Sequence, residues 1–147
     1  MVDAEAERVE QIEKSLRRIS YTVKQRGREI LNHFPITPPQ FIALQYLQEK
    51  GDLTIGELSS KMYLAFSTTT DLVDRLESNG MVERVKDQQD RRVVRVHILD
   101  RGKDIIREVI QKRQDYLSDI LAHVSVVEID QLQQTLASLH AQMEKDQ

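Results

Sequence analysis

Apolar and polar positions alternate along this chain with two different periods, and the changes of period divide it into three parts. From about Glu5 to His33, Val9, Ile12, Leu16, Ile19 and Val23 step by 3, 4, 3 and 4 residues, and Ile30 extends the stripe. That spacing predicts one long amphipathic helix close to heptad periodicity. Its length, about 40 Å, is more than a compact monomer of this size covers. Gly27 interrupts the pattern and is a candidate bend. Between residues 101 and 124, Ile105, Ile106, Val109, Ile110, Leu117, Ile120, Leu121 and Val124 define a second broad apolar face. Ile129, Leu132, Leu136, Leu139 and Met143 repeat the 3, 4, 3, 4 steps near the C-terminus.

The middle of the chain carries clear start and stop signals. Thr37-Pro38-Pro39-Gln40 is a capping-box arrangement with proline at the first helical position, predicting a helix that buries Phe41, Leu44 and Leu47 and ends near Gly51. Thr54-Ile55-Gly56-Glu57 reads as a second capping box, opening a short helix with Leu58 and Met62. A turn from Tyr63 to Phe66 then leads to a helix starting at Ser67, with Thr69, Leu72, Val73 and Leu76 facing inward and Asn79-Gly80 as its stop. Here the period falls to two. Met81–Lys86 and Val93–Leu99 are predicted strands, with Val94, Val96 and Ile98 sharing one face. The connection Asp87–Arg92 holds no Gly or Pro and reads as a wide loop, and Asp100 as the N-cap of the next helix. Two short helices, a polar helix and a hairpin make the predicted fold mainly α with a small β-hairpin wing, a winged helix-turn-helix between long terminal helices.

Composition narrows the function classes. The chain has 147 residues, 39% apolar and 31% charged, enough for one domain with a real core. No apolar run suits a membrane span, and the acidic start MVDAEAERVEQ does not read as a signal peptide, so a cytoplasmic location is expected. The absence of Cys excludes disulfides, thiolate metal sites and thiol-based sensing. His33, His97, His123 and His140 have no ligand spacing on one helix face, so no metal and no cofactor is expected. No nucleophile with a base, phosphate loop or zincin motif is present, and no enzymatic activity is expected.

Net charge is −3, yet it is unevenly spread: residues 84–103 hold seven Lys or Arg against three Asp. A basic patch on an acidic body is a docking surface for a polyanion, although sign pattern alone fits an ordinary solvated charge run equally well. Its place on a hairpin tip favours the first reading. Arg91 and Arg92 are placed to enter a narrow minor groove. Lys86 and Arg95 on the stems can meet phosphates, and Asp90 reads as an organiser that pairs with Arg75 or a neighbouring arginine. The hydroxyls of Ser67, Thr68, Thr69 and Thr70 start a helix suited to a major groove. With Thr69 inward, Ser67, Thr68, Thr70, Asp71 and Asp74 are left to solvent or DNA.

The ordered set resembles the MarR family of winged-helix transcriptional regulators. The resemblance rests on Thr37-Pro38-Pro39-Gln40-Phe41, Leu53-Thr54-Ile55-Gly56-Glu57-Leu58, Ser67-Thr68-Thr69-Thr70 with Leu72-Val73-Asp74-Arg75-Leu76-Glu77, Gly80-Met81-Val82-Glu83-Arg84, Asp90-Arg91-Arg92-Val93 and Leu99 with Gly102. It covers roughly residues 30–105 and implies a single domain over 1–147, with dimerisation helices at 1–34 and 101–147 and the winged region at 37–100. It further implies a homodimeric regulator, most simply a repressor, on a pseudo-palindromic operator of double-stranded DNA, with Arg92 as the wing arginine and Asp90 its companion. Many relatives bind small aromatic or anionic effectors, for which Arg17, Tyr21, His33, Tyr46 and Tyr116 are the candidate residues. Three positions depart from the pattern. Asp71 stands where a basic or small residue is common and suits a cytosine amino group better than a phosphate. Ala65 stands where many relatives have Asp, leaving the cap to Ser67 or the backbone, and Asp100 replaces a Thr. The alternative to DNA is an interaction module whose basic face binds an acidic protein.

Overall fold

The protein is described by a computed structural model covering residues 3–147. It divides into two compact units, the first running through Ile110 and the second from Gln111 to Gln147.

The first unit opens with α1 (Ala4–Leu31), capped by Asp3, whose carboxylate accepts the Glu5 N–H. The helix continues through Gly27, and its apolar stripe stays largely uncovered: Val9, Ile12 and Ile19 are exposed, and only Leu31 at its end is buried. Next comes α2 (Pro38–Lys50), whose start is the complete capping box expected of Thr37 and Gln40. Gln40 N–H donates to Thr37 Oγ1 at 3.4 Å and Thr37 N–H to Gln40 Oε1 at 3.1 Å. The second box is only half made. Thr54 Oγ1 accepts the Glu57 N–H at 3.1 Å, but the Glu57 carboxylate turns away to Arg95.

Leu53 and Thr54 form a two-residue strand, β1, that the sequence reading did not include. It leads into α3 (Ile55–Met62), a turn, and α4 (Phe66–Ser78). The helix starts one residue before Ser67. Ala65 is the N-cap and offers no side-chain bond, so of the two expected sources of the cap, Ser67 or the backbone, the Ser67 side chain is ruled out: Ser67 already lies in the first helical turn. At the other end Gly80, at φ 72°, makes the left-handed closure that an L side chain resists. Gly80 N–H returns to Glu77 O and Met81 N–H to Leu76 O, a Schellman closure with Leu76 and Met81 both fully buried.

Strands β2 (Val82–Lys86) and β3 (Val94–Ile98) form the hairpin, and β1 adds to the far side of β3, so the antiparallel order is β1-β3-β2. Val82 pairs with Ile98, Arg84 with Val96 and Leu53 with Val96. Val82, Val96, Ile98 and Leu53 close the sheet onto a core that includes Leu44, Leu47, Leu58, Val73, Leu76 and Val109. Helix α5 (Asp100–Leu121) follows directly. Asp100 is its first helical residue, an acid in the first turn, and not the N-cap expected for it. Gly102 sits where a Cβ would lie 2.6 Å from Met81 O and 2.9 Å from Ile98 Cγ1, so only glycine lets α5 approach the hairpin this closely.

The second unit holds the end of α5 and all of α6 (Val126–Lys145), which Ser125 caps by accepting the Glu128 N–H. No residue of α6 is buried, and Leu132, Leu136 and Met143 are exposed along it.

Candidate nucleic-acid interface

The α3–turn–α4 unit places the hydroxyl run at the leading end of α4. Thr69 is fully buried and donates its hydroxyl to Ala65 O at 3.0 Å, so it belongs to the fold and not to a binding face. Thr70 is half-buried and donates to Phe66 O, which removes its hydroxyl hydrogen from contact with a ligand. Ser67, Thr68 and Asp71 are exposed. The turn before them holds Tyr63 in the left-handed region at φ 55°, the one non-glycine residue at positive φ among those described. Such a conformation costs roughly 1–2 kcal/mol, and it leaves the Tyr63 ring at 95% exposure.

The wing is built from side-chain-to-backbone bonds. Asp87 Oδ2 accepts the N–H groups of Gln89 and Asp90, and Asp87 N–H closes the loop onto Val93 O at 2.9 Å. Asp90 then organises the tip: its Oδ1 accepts both the N–H and Nε of Arg92 at 3.1 Å, and its Oδ2 accepts Nη2 at 3.2 Å. The partner is therefore Arg92, and not Arg75. The Arg92 side chain remains 91% exposed, aimed but not covered. Hydrogen bonds from the Arg92 side chain and backbone hold the Asp90 carboxyl below its ordinary range. Arg91 and Lys86 are exposed.

Arg95 is differently placed from the expectation of a free stem cation. Its Nε donates to Asp87 Oδ1 at 2.8 Å and its Nη1 to Glu57 Oε1 at 3.3 Å. The Asp87 hydrogen bond is the main cause of a guanidinium pKa above the usual value, and Arg95 in turn draws the Asp87 carboxyl down. Arg95 thus joins the wing base to α3. On the same face His97 Nδ1 lies 2.7 Å from Asp52 Oδ1, and a polar cavity of about 600 Å³ opens between Asp52, Glu83, Asp87, Arg95 and His97.

Sequence reasoning missed Arg84. From the core-side register of β2 it reaches α4, donating Nη1 to Glu77 Oε1 at 2.5 Å and Nη2 to Asp74 Oδ1 at 2.6 Å, while its N–H donates to Glu77 Oε2. Desolvation disfavours its charge, but the hydrogen bonds to Asp74 and Glu77 outweigh that and hold its pKa above the usual value. Asp74, read as a possible DNA-facing residue, is instead half of this clamp.

The candidate effector residues are scattered by comparison. Arg17 pairs with Glu13 on the exposed side of α1, Tyr21 is 69% exposed, and His33 lies beyond the end of that helix. Tyr46 donates its hydroxyl to Lys61 O at 3.3 Å and lines a shallow cavity of about 230 Å³ with Ile42, Gln45 and Glu49. Tyr116 belongs to the second unit. Within the first unit, Arg17 and Tyr46 line different cavities.

Comparison with known proteins bears on the same elements. The MarR family model matches residues 36–94, from the start of α2 into β3. Beyond that span, the chain is 56% identical over 145 residues to the uncharacterized HTH-type transcriptional regulator YsmB of Bacillus subtilis, covering 99% of both chains. The chain belongs to the MarR family. A solved MarR family protein from Bacillus stearothermophilus superposes with a TM-score of 0.84 at 53% identity, covering 98% of this chain and 99% of that one. The HTH-type transcriptional repressor MdtR of Bacillus subtilis is 26% identical over 136 residues, 92% of this chain and 88% of its own. Membership in the MarR family decides between the two readings of the protein: it is a DNA-binding transcriptional regulator, and not an interaction module for an acidic protein.

Proposed function

We propose that the protein is a homodimeric repressor that binds a pseudo-palindromic operator, with the first turn of α4 in the major groove and Arg91 and Arg92 in the minor groove. The observation that carries this is the tip geometry. Asp90 fixes the Arg92 guanidinium from one side while leaving it exposed, the state in which a cation is pre-oriented for a narrow groove of high negative potential. Ser67, Thr68 and Asp71 serve as the base- and phosphate-facing residues of α4, with Lys86 as a phosphate contact. Arg95 acts by holding the wing base. Dimerisation is supported by the uncovered apolar stripes: Val9, Ile12 and Ile19 on α1, and Leu132, Leu136 and Met143 on α6. Stripes of this kind on long helices are stable in water when a second copy covers them. Repression matches the role named for MdtR, and a small aromatic or anionic effector acting in the cytoplasm would release it.

The test is selection of bound duplexes from random and genomic DNA by the full chain, with and without cell extract. Recovery of a two-fold-related sequence, and its loss with extract, is the expected outcome. Recovery of no defined sequence would overturn the operator reading.

A further inference from the structure

Phe66 continues the spacing of the buried stripe on α4, since the intervals to Thr69, Val73 and Leu76 are three, four and three residues. That spacing places side chains on one helix face, and the three successors are all fully buried. Phe66 is 62% exposed. The reason is geometrical. It is the first residue of α4, and helical side chains lean toward the N-terminus, so its ring projects past the end of the stripe instead of down onto the core. Ala65 before it adds no covering side chain, and Ser67 and Thr68 beside it are exposed. The leading end of the helix therefore carries a large apolar ring for which the fold has no use.

Building on the operator reading above, we infer that Phe66 is a specificity-determining residue whose ring packs on the C5-methyl group of a thymine. Helix-turn-helix readers present the N-terminal residues of the second helix to base edges. Thymine is the base whose major-groove edge carries a methyl, and apolar side chains including Phe recognise it. The hydroxyls of Ser67 and Thr68 accept either donors or acceptors and discriminate less. Cytosine carries only a hydrogen at the same C5 position and so offers the ring no methyl to cover.

The experiment uses the full chain and F66A in parallel selections from a random duplex library. In the duplex won by the wild-type chain, each thymine is then replaced in turn by deoxyuridine, which removes the methyl alone. At one thymine position or more, methyl removal weakens wild-type binding about fourfold, the value of one buried methyl-sized group, and leaves F66A binding unchanged. Equal methyl effects for both proteins at every thymine would overturn the assignment, as would an unchanged selected sequence for F66A. A shift in the oligomeric state of F66A, read by light scattering, would place the ring in a protein contact and overturn it as well. If neither protein selects a defined sequence, the operator reading falls together with this one. A defined sequence without Phe66-dependent methyl effects removes the residue's role alone. Because the ring is exposed, F66A is expected to keep the wild-type melting curve.

Discussion

Helix α4 takes its orientation from below, where Thr69, Leu72, Val73 and Leu76 are buried in the core. At the wing tip, no residue from Asp87 to Arg92 is buried, and orientation comes from Asp87 and Asp90 accepting backbone and guanidinium hydrogens. Burial is not screened by moderate salt and does not depend on protonation, whereas a tip set by carboxylates responds to both. The two proposed reading elements thus have different failure modes, and Arg84, bonded to Asp74 and Glu77 of α4, is where they meet.

The largest effect that separates them is thermodynamic. Leu76→Ala removes a fully buried side chain and should lower unfolding free energy by about 2–5 kcal/mol in chemical denaturation. Arg92→Ala should change stability by less than about 0.5 kcal/mol, because the side chain is exposed. Its loss should instead appear as operator affinity reduced at least about tenfold, with the dimer intact, by fluorescence anisotropy on the selected duplex. Full affinity of Arg92→Ala at moderate salt would remove the wing from the interface and collapse the comparison.

Smaller effects test how the two elements are joined. Arg84→Ala should cost about 1 kcal/mol in stability, since its partners are partly exposed. Combined with Arg92→Ala, it should be non-additive in affinity by about 0.5 kcal/mol or more; strict additivity would mean that wing and helix read DNA independently. The smallest expected change follows pH. Asp87 and Asp90 are both held below their ordinary pKa, so the order they give the wing is complete above the unfolded value of about 3.9 and lost as pH falls through the lower folded values. The Nε–H chemical shifts of Arg92 and Arg95 should therefore stay constant down to pH 5 and move toward those of unpaired arginines only in stronger acid. A move complete by pH 5 would show that the carboxylates are not what orders the tip.

Local chemistry is legible in the sequence. The Thr37–Gln40 box, the Gly80 stop and the alternation of Val94, Val96 and Ile98 are all set by neighbours within four residues, and all three form as read. The Asp90–Arg92 contact, two residues apart, was within reach of the same reasoning. Arg84 was not, because its partners lie seven and ten residues away on another element, and neither was the Arg95–Glu57 bond spanning 38 residues. Strand β1 escaped because two residues carry no period, and because Thr54 had a sufficient role as a cap. Phe66 shows the opposite limit. Its spacing matches the buried stripe, but periodicity does not say that a helix has run beyond the core it packs on.

Gly102 carries a consequence of another kind. The Met81 carbonyl oxygen that would meet its missing Cβ also accepts the Leu99 N–H, so the exit from α4, the hairpin and the start of α5 converge on one atom with no slack. A methyl there would force α5 away from the Met81 carbonyl and Ile98, disturbing the base on which the hairpin is set against α4. The groove geometry that this regulator would span in the proposed complex thus depends on a residue outside both proposed reading elements, and substitutions at position 102 should alter the spacing of the preferred operator before they unfold the protein.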